Sequence, residues 1–114
     1  MARGFRIERL TVIEFAFELA DLGTDYNGFN TVYAPGTSRR TTGHVLVVDT
    51  NEGIRGEHVG GDRNTYAQVG QVAHYLVGRD PMERERIYND VKRALRKVDK
   101  FGLSAIDIAL WDIA

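Results

Sequence analysis

Three histidines, His44, His58 and His74, are the only imidazoles in the sequence, and none stands in the H-x-x-x-H or H-E-x-x-H spacing that closes on a metal ion. His44 opens a strand and His74 lies on a helix, so both are expected to be structural or solvated. His58 falls where a hairpin runs into a loop, beside Glu57, and is the best placed of the three for a ligand. The chain has no cysteine, which excludes disulfides and thiolate metal sites. No G-x-S-x-G marks a nucleophile, and "VGGD" at 59–62 fits neither phosphate-binding glycine pattern. Asp107 and Asp112 are five residues apart, about 140° round a helix, too divergent to share a ligand. Each is expected to bond a neighbouring backbone or basic group.

The richest segment chemically is 20–41, which holds Tyr26, Asn27, Phe29, Asn30, Tyr33, Arg39 and Arg40. Aromatic, amide and guanidinium groups together suit a small polar anion, and arginine offers a two-pronged fork for carboxylate. Nothing in the chain supplies a general base with an evident partner. The residues can grip a ligand, but no catalytic and no metal-binding residue is assigned.

Several elements must position these groups. From Phe5 to Leu19 apolar and charged residues alternate: Phe5 and Ile7 against Arg6 and Glu8, then Ile13, Phe15 and Phe17 against Glu14 and Glu18. That is the period of a half-buried strand, with a phase slip near Arg9–Leu10 that predicts a bulge. Residues 21–40 read as a long loop, a kind that is usually functional or disordered. His44–Asp49 and Ile54–Val59 form a hairpin about "DTNEG", where Gly53 supplies a positive φ. The remainder is helical. Tyr66, Val69, Ala73 and Leu76 recur at helical spacing and stop at Gly78. A second helix is predicted from Asp80 as N-cap, with Pro81 in its first position and Glu83 completing a capping box. Its stripe is Ile87, Tyr88, Val91, Ala94, Leu95 and Val98, and its basic end, "VKRALRKVDK", reads as a solvated face. Gly102 breaks that helix, and Ser104 caps a third.

Strands followed by helices predict an α+β domain: a three-stranded antiparallel meander, then three helices covering one face of the sheet. The chain has 114 residues, enough for one domain. Its 43% apolar and 27% charged content is that of a folded protein. A net charge of −1 gives no electrostatic case for nucleic acid or an anionic membrane. No run is long enough to span a bilayer and no secretory core is present, so a cytoplasmic location is expected.

The last eleven residues, "SAIDIALWDIA", are apolar on nearly every side of a helix, which calls for partners on several sides. Ile106, Leu110, Trp111 and Ile113 are the residues expected to meet a neighbour.

Three stretches resemble the mandelate racemase and muconate lactonizing enzyme group of the enolase superfamily. "HVLVVDTNEGIRGEHVGG" is similar to its hairpin, with Gly53, Gly56 and Glu57 carrying an offset form of the turn pattern. Gly78, Asp80 and Pro81 resemble its "GxDP" helix start. Ala105, Asp107, Ala109, Leu110, Trp111 and Asp112 match its A-x-D-x-A-L-W-D helix, which is the most specific of the three. The resemblance covers residues 4–114. It implies that 1–114 is an N-terminal capping domain, inactive alone, and that the absent partner is a TIM-like barrel packed on the last helix. It further implies Mg²⁺ and proton abstraction α to a carboxylate in the parent enzyme, with neither the metal nor the bases held by this chain. A small carboxylate substrate and a homo-oligomer are expected. Two capping loops, 20–41 and 58–66, would choose the substrate, with Tyr26, Asn27, Arg39, His58 and Arg63 as substrate-binding candidates. Their polarity leans towards an acid-sugar or hydroxy-acid dehydratase or racemase. The alternative is a stand-alone, non-enzymatic module that self-associates through its C-terminal helix.

Overall fold

A computed structural model describes residues 4–22, 37–97 and 100–114. It contains β1 (Ile7–Leu22), β2 (Thr37–Thr50), β3 (Arg55–Val59), α1 (Arg63–Leu76), α2 (Arg84–Ala94) and α3 (Phe101–Ile113). The strands form one antiparallel sheet in the order β1-β2-β3. The predicted α+β meander followed by three helices is what the chain adopts.

The strands differ in length, and that shapes the molecule. β3 pairs only with Val45–Asp49 of β2. β1 and β2 continue past it as a two-stranded ribbon, pairing as far as Leu22 and Thr37. Arg39 and Arg40, expected in the loop, therefore belong to β2, where they pair with Leu19 and Glu18. The predicted slip is present as a register shift between Ile7 and Arg9. Its consequence decides which face of β1 meets the helices. A one-residue slip exchanges the two faces of a strand. Ile7 points into the core, but beyond the bulge it is Leu10 that packs there. Ile13, Phe15 and Phe17 fall on the face away from the helices and stay 40–48% exposed. Glu14 lies on the inner face, opposite His44.

The core lies between Leu46 and Val48 of the sheet and the inner stripes of the helices: Tyr66, Val69, Val72 and Leu76 of α1, Ile87 and Val91 of α2 with Leu95 after it, and most of α3. On α2 the predicted Tyr88 and Ala94 are exposed, and Val98 lies outside the described residues. α3 is the central helix, touching β2, β3, α1 and α2. It rests against β3 at Gly56. A Cβ there would run into the Ala109 carbonyl oxygen and stand 2.7 Å from Ile113 Cγ1. One turn on, Asp112 Oδ2 accepts the Glu57 backbone N–H at 2.8 Å, the backbone-bonding role expected of it.

Three helix-start expectations are corrected. α2 begins at Arg84, not at Pro81. Asp80 Oδ1 accepts the Met82 N–H at 2.9 Å and Asp80 O accepts that of Glu83, which closes a separate turn before the helix. Gly102 does not end α2. It lies in the first turn of α3, where a Cβ would stand 2.7 Å from Gln68 Cβ, and its N–H donates to Gln68 Oε1 at 2.8 Å. Ser104 is inside α3 and so is not its N-cap; a side chain from α1 satisfies the helix start instead.

The outward face of α3 is likewise not the one expected. Ile106, Leu110 and Ile113 are buried by this domain's own sheet and helices, while Trp111 is 59% and Ile108 45% exposed. With Phe101, also exposed, they lie at i, i+7 and i+10 on one stripe. The helix is apolar all round because its own domain covers most of it.

Two glycines of similar setting in sequence should respond oppositely. Gly56→Ala is expected to cost about 1–3 kcal/mol by overpacking against α3. Gly70→Ala, in α1 with open space where its Cβ would stand, is expected to gain about 0.5–1 kcal/mol. Thermal melts followed by circular dichroism check both, since each kcal/mol moves Tm by roughly 4–8 °C in a domain near this size. Equal shifts would remove the close contact as the reason for a glycine at 56.

Candidate functional site

The described polar groups converge where the ribbon leaves the body of the domain. Glu14 and His44 are cross-strand partners on the inner face, the first rung beyond the end of β3. His44 Nε2 stands 3.4 Å from Glu14 Oε1. The same carboxylate oxygen accepts from Arg63 Nε at 3.0 Å, so the ribbon base is tied to the first residue of α1. His44 is buried and stacks on the Tyr66 ring at 5.0 Å between centroids.

The turn between β3 and α1 is fixed as tightly. Gly60 and Gly61 have φ of 137° and 82°, a region that disfavours side chains. The Gly60 N–H donates to His44 O at 2.9 Å, and the Tyr66 hydroxyl donates to Gly60 O at 2.6 Å. Burial pushes the Tyr66 phenol up from its usual pKa. Asp62 then caps α1. Its Oδ1 accepts the Thr65 N–H at 2.9 Å while Thr65 Oγ1 accepts the Asp62 N–H, a reciprocal capping box.

Of the five candidates, His58 and Arg63 flank this turn. His58 is half-buried on β3, opposite Leu46, and Arg63 is exposed at the start of α1. Arg39 stands near the beginning of β2, at the far end of the ribbon. Tyr26 and Asn27 lie outside the described residues. Of the two residues that the sequence reads as a structural or solvated histidine and as part of the apolar stripe of α1, His44 and Tyr66, both are buried; what the sequence reading misses is that Glu14 joins them to Arg63. The signal was available in the register, because pairing Val12 with Leu46 forces Glu14 opposite His44. Among the described residues no three His, Asp or Glu side chains cluster closely enough to hold a metal ion. These residues therefore do not fit a magnesium site.

Residues 28–114 match the N-terminal domain of the mandelate racemase / muconate lactonizing enzyme family. The chain belongs to that family. Its sequence is 40% identical over 78 residues to D-galactarolactone cycloisomerase of Agrobacterium fabrum, a match covering 61% of this chain and 21% of the relative. In structure this N-terminal domain is similar to L-talarate/galactarate dehydratase of Salmonella typhimurium LT2, solved with Mg and L-lyxarohydroxamate, with TM-score 0.75 and 26% identity. That match covers 96% of this chain and 30% of the dehydratase. An enolase superfamily member from Roseovarius nubinhibens matches with TM-score 0.73 and 26% identity, again over 96% of this chain and 30% of that one. The chain thus spans about a fifth to a third of the length of these relatives.

Two carboxylates of the site carry a pH signature. The hydrogen bond from Arg63 holds Glu14 below its ordinary pKa of 4.5, and the Thr65 N–H holds Asp62 below 3.8. A carboxyl whose folded pKa is depressed stabilises fully above its unfolded value and loses that contribution as pH falls through the folded one. Stability should therefore decline as pH drops below 4.5 through Glu14 and below 3.8 through Asp62. Glu14→Gln is expected to flatten the upper part of that decline, and Asp62→Asn, which keeps an acceptor for the cap, the lower part. Tm measured against pH reads both; unaltered slopes in the two variants would mean that these contacts do not titrate with folding.

Proposed function

We propose that this chain is the substrate-selecting cap of an acid-sugar enzyme of the mandelate racemase type, whose reacting centre is a barrel docked on α3. The observation that carries the reading is the presentation of Arg63. Its Nε is taken by Glu14 and its side chain is largely exposed, so the outer edge of the guanidinium is accessible to a substrate carboxylate, which it would hold as a two-pronged fork. His58, across the same rigid turn, supplies a second polar group. The relatives named for galactarolactone and for talarate/galactarate support an acid-sugar substrate. They include a cycloisomerase as well as a dehydratase, so the lean towards dehydration over cyclisation is not carried further.

The docking surface for the barrel is the outward stripe of α3, Phe101, Ile108 and Trp111, in place of the buried Ile106, Leu110 and Ile113. Arg84 lies over the Trp111 ring at 4.0 Å from its centroid, a cation–π contact that holds the indole in place. Magnesium, which the related dehydratase was solved with, would be held by barrel residues, since the described residues of the cap do not fit it. The cap's own contribution is binding, orientation and exclusion of water from the mouth.

The test is exchange of the proton α to the carboxylate for deuterium, followed by NMR with galactarate, glucarate and D-galactarolactone as substrates. A protein that carries this domain ahead of a barrel should exchange one of them in the presence of Mg²⁺, and the 114-residue chain alone should exchange none. In the active protein Arg63→Ala should lower kcat/KM by about 10- to 100-fold, the worth of a charge-assisted hydrogen bond. Turnover by the isolated chain, or full activity in the Arg63→Ala enzyme, would overturn the reading.

A further inference from the structure

We infer that the groove between the C-terminal ends of α1 and α2 is a binding site for an aromatic carboxylate. The groove has a volume of about 340 Å³, within the range of small-molecule sites. Its floor is Leu76 and Val91, both buried, with Ala94 beside them. Tyr75, 56% exposed, forms a wall, and its ring packs on that of His74 with centroids 4.0 Å apart. Around this apolar surface stand Arg79, Arg93 and Arg96, with Asp90. Three guanidinium groups against one carboxylate leave the groove positive, in a chain whose net charge is −1.

Arg79 is held in place before any ligand arrives. Its backbone is fastened to β1: the Ile7 N–H donates to Arg79 O and the Gly78 N–H to Ile7 O, both at 2.8 Å. Its side chain reaches α2, where Nη2 stands 3.1 Å from Asp90 Oδ2, and it is only 26% exposed. A guanidinium fixed at both ends loses little freedom on binding. One partly withdrawn from water attracts an anion more strongly than a solvated one. The carbonyl end of α2 favours cations, which accounts for Arg93 and Arg96 there. It does not account for Arg79, which comes from the turn after α1. The ligand class follows from the two features together. Planar guanidinium groups take a carboxylate as a two-pronged fork, and the exposed Tyr75 ring over an aliphatic floor takes a flat apolar body. A hydroxylated acid sugar would leave that floor poorly covered, so this is not a second copy of the proposed substrate site. The two are also apart in space. α1 has 14 residues, about 20 Å of helix, with Arg63 at its start and Leu76 at its end. No residue of α3 lines the groove, so barrel docking leaves it open.

Titration of the full, nitrogen-15-labelled chain with benzoate and with indoleacetate, followed by amide chemical shifts, tests it. Saturable shifts are expected at Leu76–Arg79 and Asp90–Arg96, with Kd about millimolar, as befits ligands of fragment size. Acetate, which lacks the ring, and benzyl alcohol, which lacks the charge, are expected to bind at least about 10-fold more weakly. The double variant Arg93→Ala, Arg96→Ala should lose about 10-fold in affinity for benzoate, whereas Arg63→Ala should lose none. Should the double variant fail to fold, Tyr75→Ala, at an exposed position, decides the matter by bringing benzoate down to the level of acetate. Shifts that do not saturate, acetate binding as well as benzoate, or an affinity unchanged in the folded groove variant would overturn the inference.

Discussion

The helix layer depends on how closely α3 can approach β3. At Gly56 the strand backbone meets the helix backbone at Ala109 with nothing between them, and one helical turn later Asp112 accepts the N–H of Glu57. A side chain at 56 would push the helix off the sheet. Because α3 also touches β2, α1 and α2, that displacement would open the core on every side. The run "ALWD" is thereby explained residue by residue. Ala109 is small because a strand lies against it, Leu110 fills the core, and Asp112 satisfies a strand N–H. Trp111, 59% exposed, is the apolar residue of the run that faces outward.

A second constraint is the slip between Ile7 and Arg9. Without it, the face of β1 that carries Ile7 would go on to carry Ile13, Phe15 and Phe17 into the helix layer. With it, those side chains move to the outer face, and Glu14 is brought inward to meet His44 and Arg63. One residue of register thus decides both which surface of the sheet is apolar and which polar groups stand at the base of the ribbon.

Much of this was legible in the sequence. Alternation marked β1 and the slip within it, "DTNEG" marked the hairpin through Gly53, and helical spacing marked the inner stripes of α1 and α2. What was not legible followed from contacts between elements. The slip could be seen, but not which phase the helices would cover, because alternation is symmetric between the faces until something packs on one of them. Asp80 and Pro81 carry the local chemistry of a helix start, yet Asp80 closes a turn on Met82 and the helix begins later. Gly102 looks like a helix breaker, but tertiary packing overrides propensity here, because Gln68 of α1 fills the space a side chain would need and bonds its N–H. α3 looks unsatisfied only when its own domain is left out of account. At the candidate site, His58 and Arg63 were named as candidates through the second loop that the family resemblance implies. The group that holds Arg63 came from β1, forty-nine residues away in sequence, and only the register connects them.

The ribbon and the turn before α1 act as one unit for a mechanical reason. A two-stranded ribbon has no third strand to stiffen it, so it bends most easily where β3 stops supporting it, after the Ile13–Val45–Val59 row. The next rung is Glu14–His44. That rung is pinned from three directions: Arg63 bonds the carboxylate, Tyr66 stacks on the imidazole, and the Gly60 N–H donates to the His44 carbonyl oxygen. The pivot is thus fastened to the start of α1 and to a turn whose glycines leave little room for alternatives. A displacement of the ribbon at this rung must carry Arg63 with it or break its bond to Glu14. The direction of the Arg63 guanidinium is therefore set by the same contacts that set the direction of the ribbon, so the two parts that the proposed function turns towards a ligand are positioned together.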